Sequence, residues 1–237
     1  KKIGKLQEAE LLLRKAIKIK PDYSIAHSNL GNILNDLGKL QEAEFSQRKA
    51  IALNPGFAKA HSNLGVVLKD LGKLKEAELS YRKSIEIKPD DANAHYNLGI
   101  ILKDLGKLKD AELSTRKAIE IKPNDAEAHS NLGILLKDLG KLKDAELSTR
   151  KAIEIKPDYT DAYSNLGNIL KDLGKLKEAK MSYSKAIELN PNLAELHSNL
   201  GIILKDLGKL KEAEISYSKA IELNPNLAEL HSNLGII

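Results

Sequence analysis

Apolar residues along the chain fall into two alternating helical stripes. Between 92 and 125, Ala94, Leu98, Ile101, Leu102 and Leu105 advance in steps of three and four, the spacing of one face of an α-helix, and the run ends at Gly106. Leu108, Ala111, Leu113, Ala118, Ile119 and Ile121 mark a second helix, which Pro123 stops. A glycine just past a helix closes it by turning left-handed, and a proline bars helical geometry to the residue before it. Each predicted helix is about 14 residues, or ~21 Å, long.

The pair then repeats. Prolines stand at 21, 55, 89, 123, 157, 191 and 225, one every 34 residues, and every glycine except Gly56 keeps the same period. In phase with the prolines, full units run over 24–57, 58–91, 92–125, 126–159, 160–193 and 194–227. Residues 1–23 are a partial repeat holding a second helix, and 228–237 are a partial repeat holding a first helix. A fixed period of this length predicts a stacked array. Each helix has an apolar stripe wider than one partner covers, so neighbouring pairs must stack, and together the units form one solenoid domain.

Two residue classes refine the expectation. Gly31, Gly65, Gly99 and their equivalents sit inside the first helix, where glycine costs ~1 kcal/mol relative to alanine. Repetition of that cost implies close approach of another helix, with Ala43, Ala77 and Ala111 as the expected small partners. Asp90, Asn124, Asp158 and Asn192 follow the prolines and are the expected N-caps of the next helix.

The unit resembles the tetratricopeptide repeat, a 34-residue helix–turn–helix with a Trp, Leu-Gly, Tyr, Ala, Phe and Pro signature. His61, Leu64-Gly65, Leu68, Ala77, Tyr81, Ser84 and Pro89 stand at those places, so His and Leu replace the large aromatics of the first helix. The resemblance covers the whole chain. It implies an all-α fold, a right-handed superhelical α-solenoid whose first helices line a concave groove.

Composition narrows the chemistry. Hydrophobic residues are 42% and aromatics only 4%, so the core is built from Leu, Ile and Ala. With no cysteine there is no disulfide, thiolate metal site or Cys nucleophile. No run approaches the ~20 apolar residues that cross a bilayer, so no membrane partner is expected. The net charge of +5 comes from 38 basic and 33 acidic residues mixed in every repeat. A nucleic-acid footprint gathers its Lys and Arg into a stripe, so no nucleic acid is expected. The start Lys1-Lys2-Ile3-Gly4 has neither Met nor a signal-peptide core; a fragment of a longer, soluble, cytoplasmic product is expected.

All six histidines, His27, His61, His95, His129, His197 and His231, share one repeat position, which Tyr163 fills in the remaining unit. Zinc needs its ligands within ~2 Å of one point, whereas equivalent positions on packed helices lie ~8–10 Å apart. The expectation is a packed histidine and no metal. No catalytic constellation or cofactor-binding loop stands apart from the repeat, so no enzyme and no cofactor are expected. Glu78–Arg82, Glu112–Arg116 and Glu146–Arg150 are i, i+4 pairs, each worth ~0.2–0.5 kcal/mol, and are expected on a solvated outer face.

Asparagine recurs at the sixth place of every unit: Asn29, Asn63, Asn97, Asn131, Asn165, Asn199 and Asn233. Asn is a poor helix former. The Ser-Asn-Leu-Gly-Asn strings at 28–32 and 164–168, which add Asn32 and Asn168, resemble the repeats of O-linked N-acetylglucosamine transferase. That resemblance implies an asparagine ladder gripping the backbone of an extended peptide. One carboxamide offers an acceptor and two donors and so matches both polar groups of a peptide unit. Helices spaced ~10 Å apart, against ~3.3 Å per extended residue, give one Asn for about three peptide residues. The competing reading is that these amides bond to the adjacent helix, or were copied as units duplicated, since 102–123 and 136–157 are identical.

Lys103, Lys137 and Lys171, each followed by Asp, complete the expected site. The second place of each unit runs Ile25, Lys59, Asn93, Glu127, Asp161, Glu195, Glu229, so the later units are more acidic there. The family's chaperone-tail clamp uses a Lys at the fifth place, where this chain has Ser62, Tyr96, Ser130 and Ser198; the resemblance therefore implies no chaperone carboxylate. The expected role is a non-catalytic scaffold for an extended protein or peptide ligand. The alternatives are the substrate-presenting arm of a larger enzyme such as a glycosyltransferase, and a helical-repeat nucleic-acid binder, which the acids at 127, 161, 195 and 229 disfavour. Leu11, Leu12 and Leu13 at one end and Leu234, Ile236 and Ile237 at the other have no polar cap, from which end-to-end self-stacking is expected.

Overall fold

A computed structural model of the protein describes residues 2–226, and among these residues there are thirteen α-helices and no strand. They fall into two compact units, Lys1–Pro123 and Asn124–Ile237. In the first, α1 (Lys2–Ile19) precedes three pairs: α2 (Ser24–Asp36) with α3 (Leu40–Leu53), α4 (Ala58–Asp70) with α5 (Leu74–Ile87), and α6 (Ala92–Asp104) with α7 (Leu108–Ile121). The second holds α8 (Ala126–Asp138) with α9 (Leu142–Ile155), α10 (Thr160–Asp172) with α11 (Leu176–Leu189), and α12 (Ala194–Asp206) with α13 (Leu210–Leu223).

Within each unit the tightest packing joins the two helices of a pair, and each second helix then packs on the first helix of the next pair. Each unit is thus an all-α helical-repeat solenoid. Its core is a row of small and branched side chains. In the pair α4–α5, Ala60, Leu64, Val67, Leu68, Ala77 and Tyr81 are all buried, and the expected first-helix set Ala94, Leu98, Ile101 and Leu102 is buried in α6 as well.

The helix stops behave as the glycine and proline pattern predicts. Gly72 has φ +74°; its N–H donates to the Lys69 carbonyl at 2.8 Å, and the Lys73 N–H donates to that of Leu68 at 2.8 Å, which closes α4 with a left-handed glycine. Gly38, Gly106, Gly140, Gly174 and Gly208 repeat the left-handed geometry. Gly4 does not: it lies inside α1, where no described first helix ends and none has to be closed.

Three expectations are corrected. The N-cap is one residue later than Asp90 and Asn124. Asp91 accepts from the N–H groups of Asn93 (3.0 Å) and Ala94 (3.2 Å), and Asp125 from that of Ala128 (3.2 Å). In the other pairs Tyr23, Phe57, Tyr159 and Leu193 hold that place without a side-chain cap, so Asp158 and Asn192 are not N-caps either.

The glycine inside the first helix does not face the expected alanine first. A Cβ on Gly65 would lie 2.7 Å from the Tyr81 ring, one on Gly31 would lie 2.6 Å from the Gln47 amide, and one on Gly99 or Gly133 would strike the hydroxyl of Thr115 or Thr149. Ala111 and Ala145 contribute only their backbone carbonyls there. Finally, Leu113 is not a core residue: it is 68% exposed, because a residue two places after Ala111 is rotated ~200° around the helix, away from the partner.

Candidate functional site

The first helix of each pair exposes one edge. Along α4, Lys59, Lys69 and Asp70 are exposed and His61, Ser62, Asn63 and Val66 half-buried, while Ala60, Leu64, Gly65, Val67 and Leu68 face the core. The same places on α2, α6, α8, α10 and α12 carry the asparagines. Asn29 is exposed; Asn63, Asn97, Asn131, Asn165 and Asn199 are half-buried. Asn233 lies outside the described residues. In the first unit this edge presents Asn29, Asn63 and Asn97, and in the second Asn131, Asn165 and Asn199.

Part of the amide capacity is used within the array. Asn63 Nδ2 donates to Ser28 Oγ at 3.2 Å, and Asn165 Nδ2 donates to Ser130 Oγ at 3.2 Å, each reaching one helix pair back. One amide hydrogen is spent; the second hydrogen and the carbonyl oxygen are left over. Asn131 differs, because its Nδ2 is buried without a hydrogen-bond partner.

Asn32 and Asn168 bond inward through their carbonyl oxygens. Gln47 Nε2 donates to Asn32 Oδ1 at 2.9 Å and also to the Ser28 carbonyl, while Ser28 Oγ donates to Gln47 Oε1. Tyr183 Oη donates to Asn168 Oδ1 at 2.9 Å. Their acceptors are therefore tied to the second helix of their own pair. Lys103, Lys137 and Lys171 are half-buried at one register of this edge. Lys137 Nζ stands 3.9 Å from Asp172 Oδ2 of the next pair, and Asn35 Nδ2 donates to Asp70 Oδ2 at 3.2 Å in the same relation.

Tyr159, half-buried, has its hydroxyl pushed up by burial and by the negative charges of Asp161 and Glu127, an effect opposed by a hydrogen bond with Ser130. Tyr183 is also pushed up, by burial first and then by Asp172 and Glu195. Burial is the first cause of both shifts, and Tyr81 in the first unit is pushed up in the same way, by burial and by Asp70.

The histidines join consecutive pairs. His27, His61, His95 and His197 place Nε2 2.9–3.0 Å from the carbonyls of Pro21, Pro55, Pro89 and Pro191. A carbonyl only accepts, so Nε2 carries the proton in these rings. His27 is buried as expected; His61, His95 and His197 are half-buried. Among the described residues no three His, Cys, Asp or Glu side chains are placed to hold a metal ion, and no helix is long and apolar enough to cross a membrane.

The ion pairs of the second helices are more than a solvated face. Glu44 takes Arg48 at 2.9 Å within α3 and Lys73, from the turn before α5, at 2.8 Å; Arg48 also reaches Glu76 at 2.7 Å. Glu10 with Arg14, Lys39 and Glu42 repeats the arrangement, as does Glu146 with Arg150, Lys175 and Glu178. The Glu44 and Glu10 side chains are only 15% and 12% exposed. These clasps, and the Ser28–Gln47–Asn32 network, were missed in sequence; the 28- and 29-residue offsets of opposite charges are the signal that would have found them. At the chain's start, Leu11 and Leu12 are exposed, but Leu13 packs on the cluster of Leu30 and Leu34. Leu234, Ile236 and Ile237 lie outside the described residues.

Comparison with known proteins bears on this arrangement. Family models described as TPR repeat match residues 67–106 and 167–208, and models described as Tetratricopeptide repeat match 92–125 and 194–227 and also 12–45, 115–146 and 149–181. Among curated proteins none matches the sequence. Among solved structures, the Cut9–Hcn1 hetero-tetramer of the APC/C aligns with TM-score 0.79 at 15% identity over 98% of this chain and 46% of that one. This chain thus spans under half the length of that relative. PilF from Pseudomonas aeruginosa aligns with TM-score 0.78 at 19% identity over 90% and 97% of the two chains. YrrB, described as a TPR protein with an unusual peptide-binding site, aligns with TM-score 0.66 at 25% identity over 81% and 98%.

Proposed function

Since the chain belongs to the tetratricopeptide-repeat family, a fold typical of protein-interaction scaffolds, we propose that its first-helix edge binds an extended peptide segment through the asparagines. The observation that carries this reading is the recurrence, once per helix pair, of a carboxamide on the same edge with hydrogen-bonding capacity left over at Asn63 and Asn165. Backbone amides are the matching partner, since they offer one donor and one acceptor per residue. The peptide-binding site described for YrrB supports the same class of ligand.

Side chains on the edge would bias the choice. Glu127, Asp161 and Glu195 lie along the second unit, whereas Ile25, Lys59 and Asn93 hold those places in the first. A peptide with basic residues over the second unit suits this distribution, and a polyanion does not. Lys103, Lys137 and Lys171, six residues after an asparagine on the same helices, would serve as secondary contacts, while Asn32 and Asn168 would set the groove wall through Gln47 and Tyr183.

The test is capture from a random peptide library by the full chain and by an Asn97→Ala, Asn131→Ala, Asn165→Ala triple variant of equal helicity. Loss of most captured peptide in the variant is the expected result. Equal capture by both proteins removes the asparagines from the mechanism.

A further inference from the structure

The second helices carry a feature that peptide binding on the first helices does not use. Phe45, Leu79 and Leu113 in the first unit, and Leu147, Met181 and Ile215 in the second, occupy one register and are 68–72% exposed. Leu11 holds that register on α1 and is 55% exposed. Isolated exposed apolar residues are ordinary, but a row at fixed pitch is not. Copying of units does not account for it. The residue changes among Leu, Phe, Met and Ile yet stays large and apolar, while neighbours on the same helices change class: Glu44 and Glu78 correspond to Lys180, and Arg48 and Arg82 to Ser184.

Beside these knobs lie pits. One of about 350 Å³ is lined by Ile51, Leu64 and the flank of Leu79, with Arg48 and Lys83 beside them. Its equivalent in the second unit, lined by Ile153, Leu166 and the flank of Met181, measures about 860 Å³, with Ser184 in its lining where the earlier repeats carry an arginine. The exposed residues recur at the pitch of one helix pair, and each unit has a pit beside one of them. A surface that meets the whole row must share that pitch, and a second copy of this chain has it.

Charge and area agree with that occupant. Lys83–Glu86 and Lys117–Glu120 in the first unit, like Lys151–Glu154 and Lys185–Glu188 in the second, set both signs beside the apolar row at 2.6–3.0 Å. A face carrying matched Lys and Glu is self-complementary under a two-fold axis, since lysines of one copy meet glutamates of the other. In the first unit, α1, α3, α5 and α7 at ~10 Å spacing and ~21 Å length present roughly 800 Å². That is the share of one partner in a stable interface.

We propose that the second-helix face is a self-association surface, on which two copies pair about a two-fold axis with the exposed apolar residues of one seated in the pits of the other. This surface is separate from the peptide edge, so the two readings stand or fall independently.

Sedimentation velocity and light scattering of the full chain, of mass 26.1 kDa, test it across the micromolar range. The expected result is a closed dimer of twice that mass. A Phe45→Glu, Leu79→Glu, Met181→Glu variant should keep its helicity by circular dichroism while its dimer dissociation constant rises by about 100-fold or more, because charges would be buried in an apolar contact. The Phe45→Ser, Leu79→Ser, Met181→Ser variant should weaken the dimer less, and the Asn97→Ala, Asn131→Ala, Asn165→Ala variant should leave it intact. The proposal is overturned by a monomer at every concentration, including one that instead binds an added amphipathic helix. It is equally overturned by species growing beyond two, as end-to-end stacking would give, or by a dimer indifferent to the glutamates.

Discussion

Gly65→Ala separates two opposing effects of similar size. In an unobstructed helix interior the change stabilises by ~1 kcal/mol, because alanine is the better helix former. At Gly65 the new Cβ would lie 2.7 Å from Cε2 and Cζ and 2.9 Å from Cδ2 of Tyr81, where carbon atoms in contact prefer ~3.5–4.0 Å. Tyr81 is 1% exposed, so the ring cannot swing into solvent. The clash must be relieved by shifting α5 against α4, at an overpacking cost of typically 1–3 kcal/mol. The net expectation is destabilisation by up to ~2 kcal/mol, seen as a lower midpoint in urea unfolding followed by far-ultraviolet circular dichroism. In a Tyr81→Ala background the clash is absent, and the same Gly65→Ala change should become neutral or stabilising, a coupling of ~1–3 kcal/mol. A Gly65→Ala protein more stable than the parent would refute the packing argument.

Two further outcomes follow from the caps and the clasps. Asp91→Ala should cost ~1 kcal/mol by removing the acceptor for two N–H groups of α6, while Asp90→Ala, one residue earlier, should stay within ~0.5 kcal/mol; equal losses in paired thermal melts would put the cap elsewhere. The bonds from Lys73 and Arg48 hold the Glu44 carboxyl below its ordinary value of 4.5. A carboxylate whose folded pKa is depressed contributes stability that is present above the ordinary value and lost as pH falls through the folded one. Melting temperature should therefore drop as pH is lowered from about 5 toward 3, and Glu44→Gln should flatten that drop; an unchanged pH profile in the variant would show that the clasp contributes nothing.

Periodicity made the elements legible because proline and glycine act locally: among the described residues each stop in the sequence is a stop in the structure, with Gly4 the exception. What the period could not supply was the rotation of each helix about its axis. Ala111 and Leu113 read equally well as one stripe, yet two residues are more than half a turn apart, and only the position of α6 decides which is buried. The same gap hid the true neighbour of Gly65. Alanine recurs with perfect regularity, but the contact is made by the residue four places later, whose identity changes among Gln47, Tyr81 and Thr115 and so looks like drift. In the site, the asparagine register was readable as a repeated exception to helix propensity. Its division of labour was not, because whether a carboxamide bonds to serine, glutamine or tyrosine depends on helix spacing that no one-dimensional pattern encodes.

The clasps make the second unit mechanically uneven. Between α9 and α11, Glu146 is gripped by Arg150 and Lys175, and Arg150 also holds Glu178. One repeat later Lys180 and Ser184 replace the acid and the arginine, and Lys180–Glu212 at 3.0 Å is the bridge that remains between α11 and α13 among the described residues. In a linear stack, stability is a sum of nearest-neighbour terms, so one weak rung defines where the ladder parts. Under load or mild denaturant, α12 and α13 would peel away as a block at that seam, leaving α8 to α11 standing.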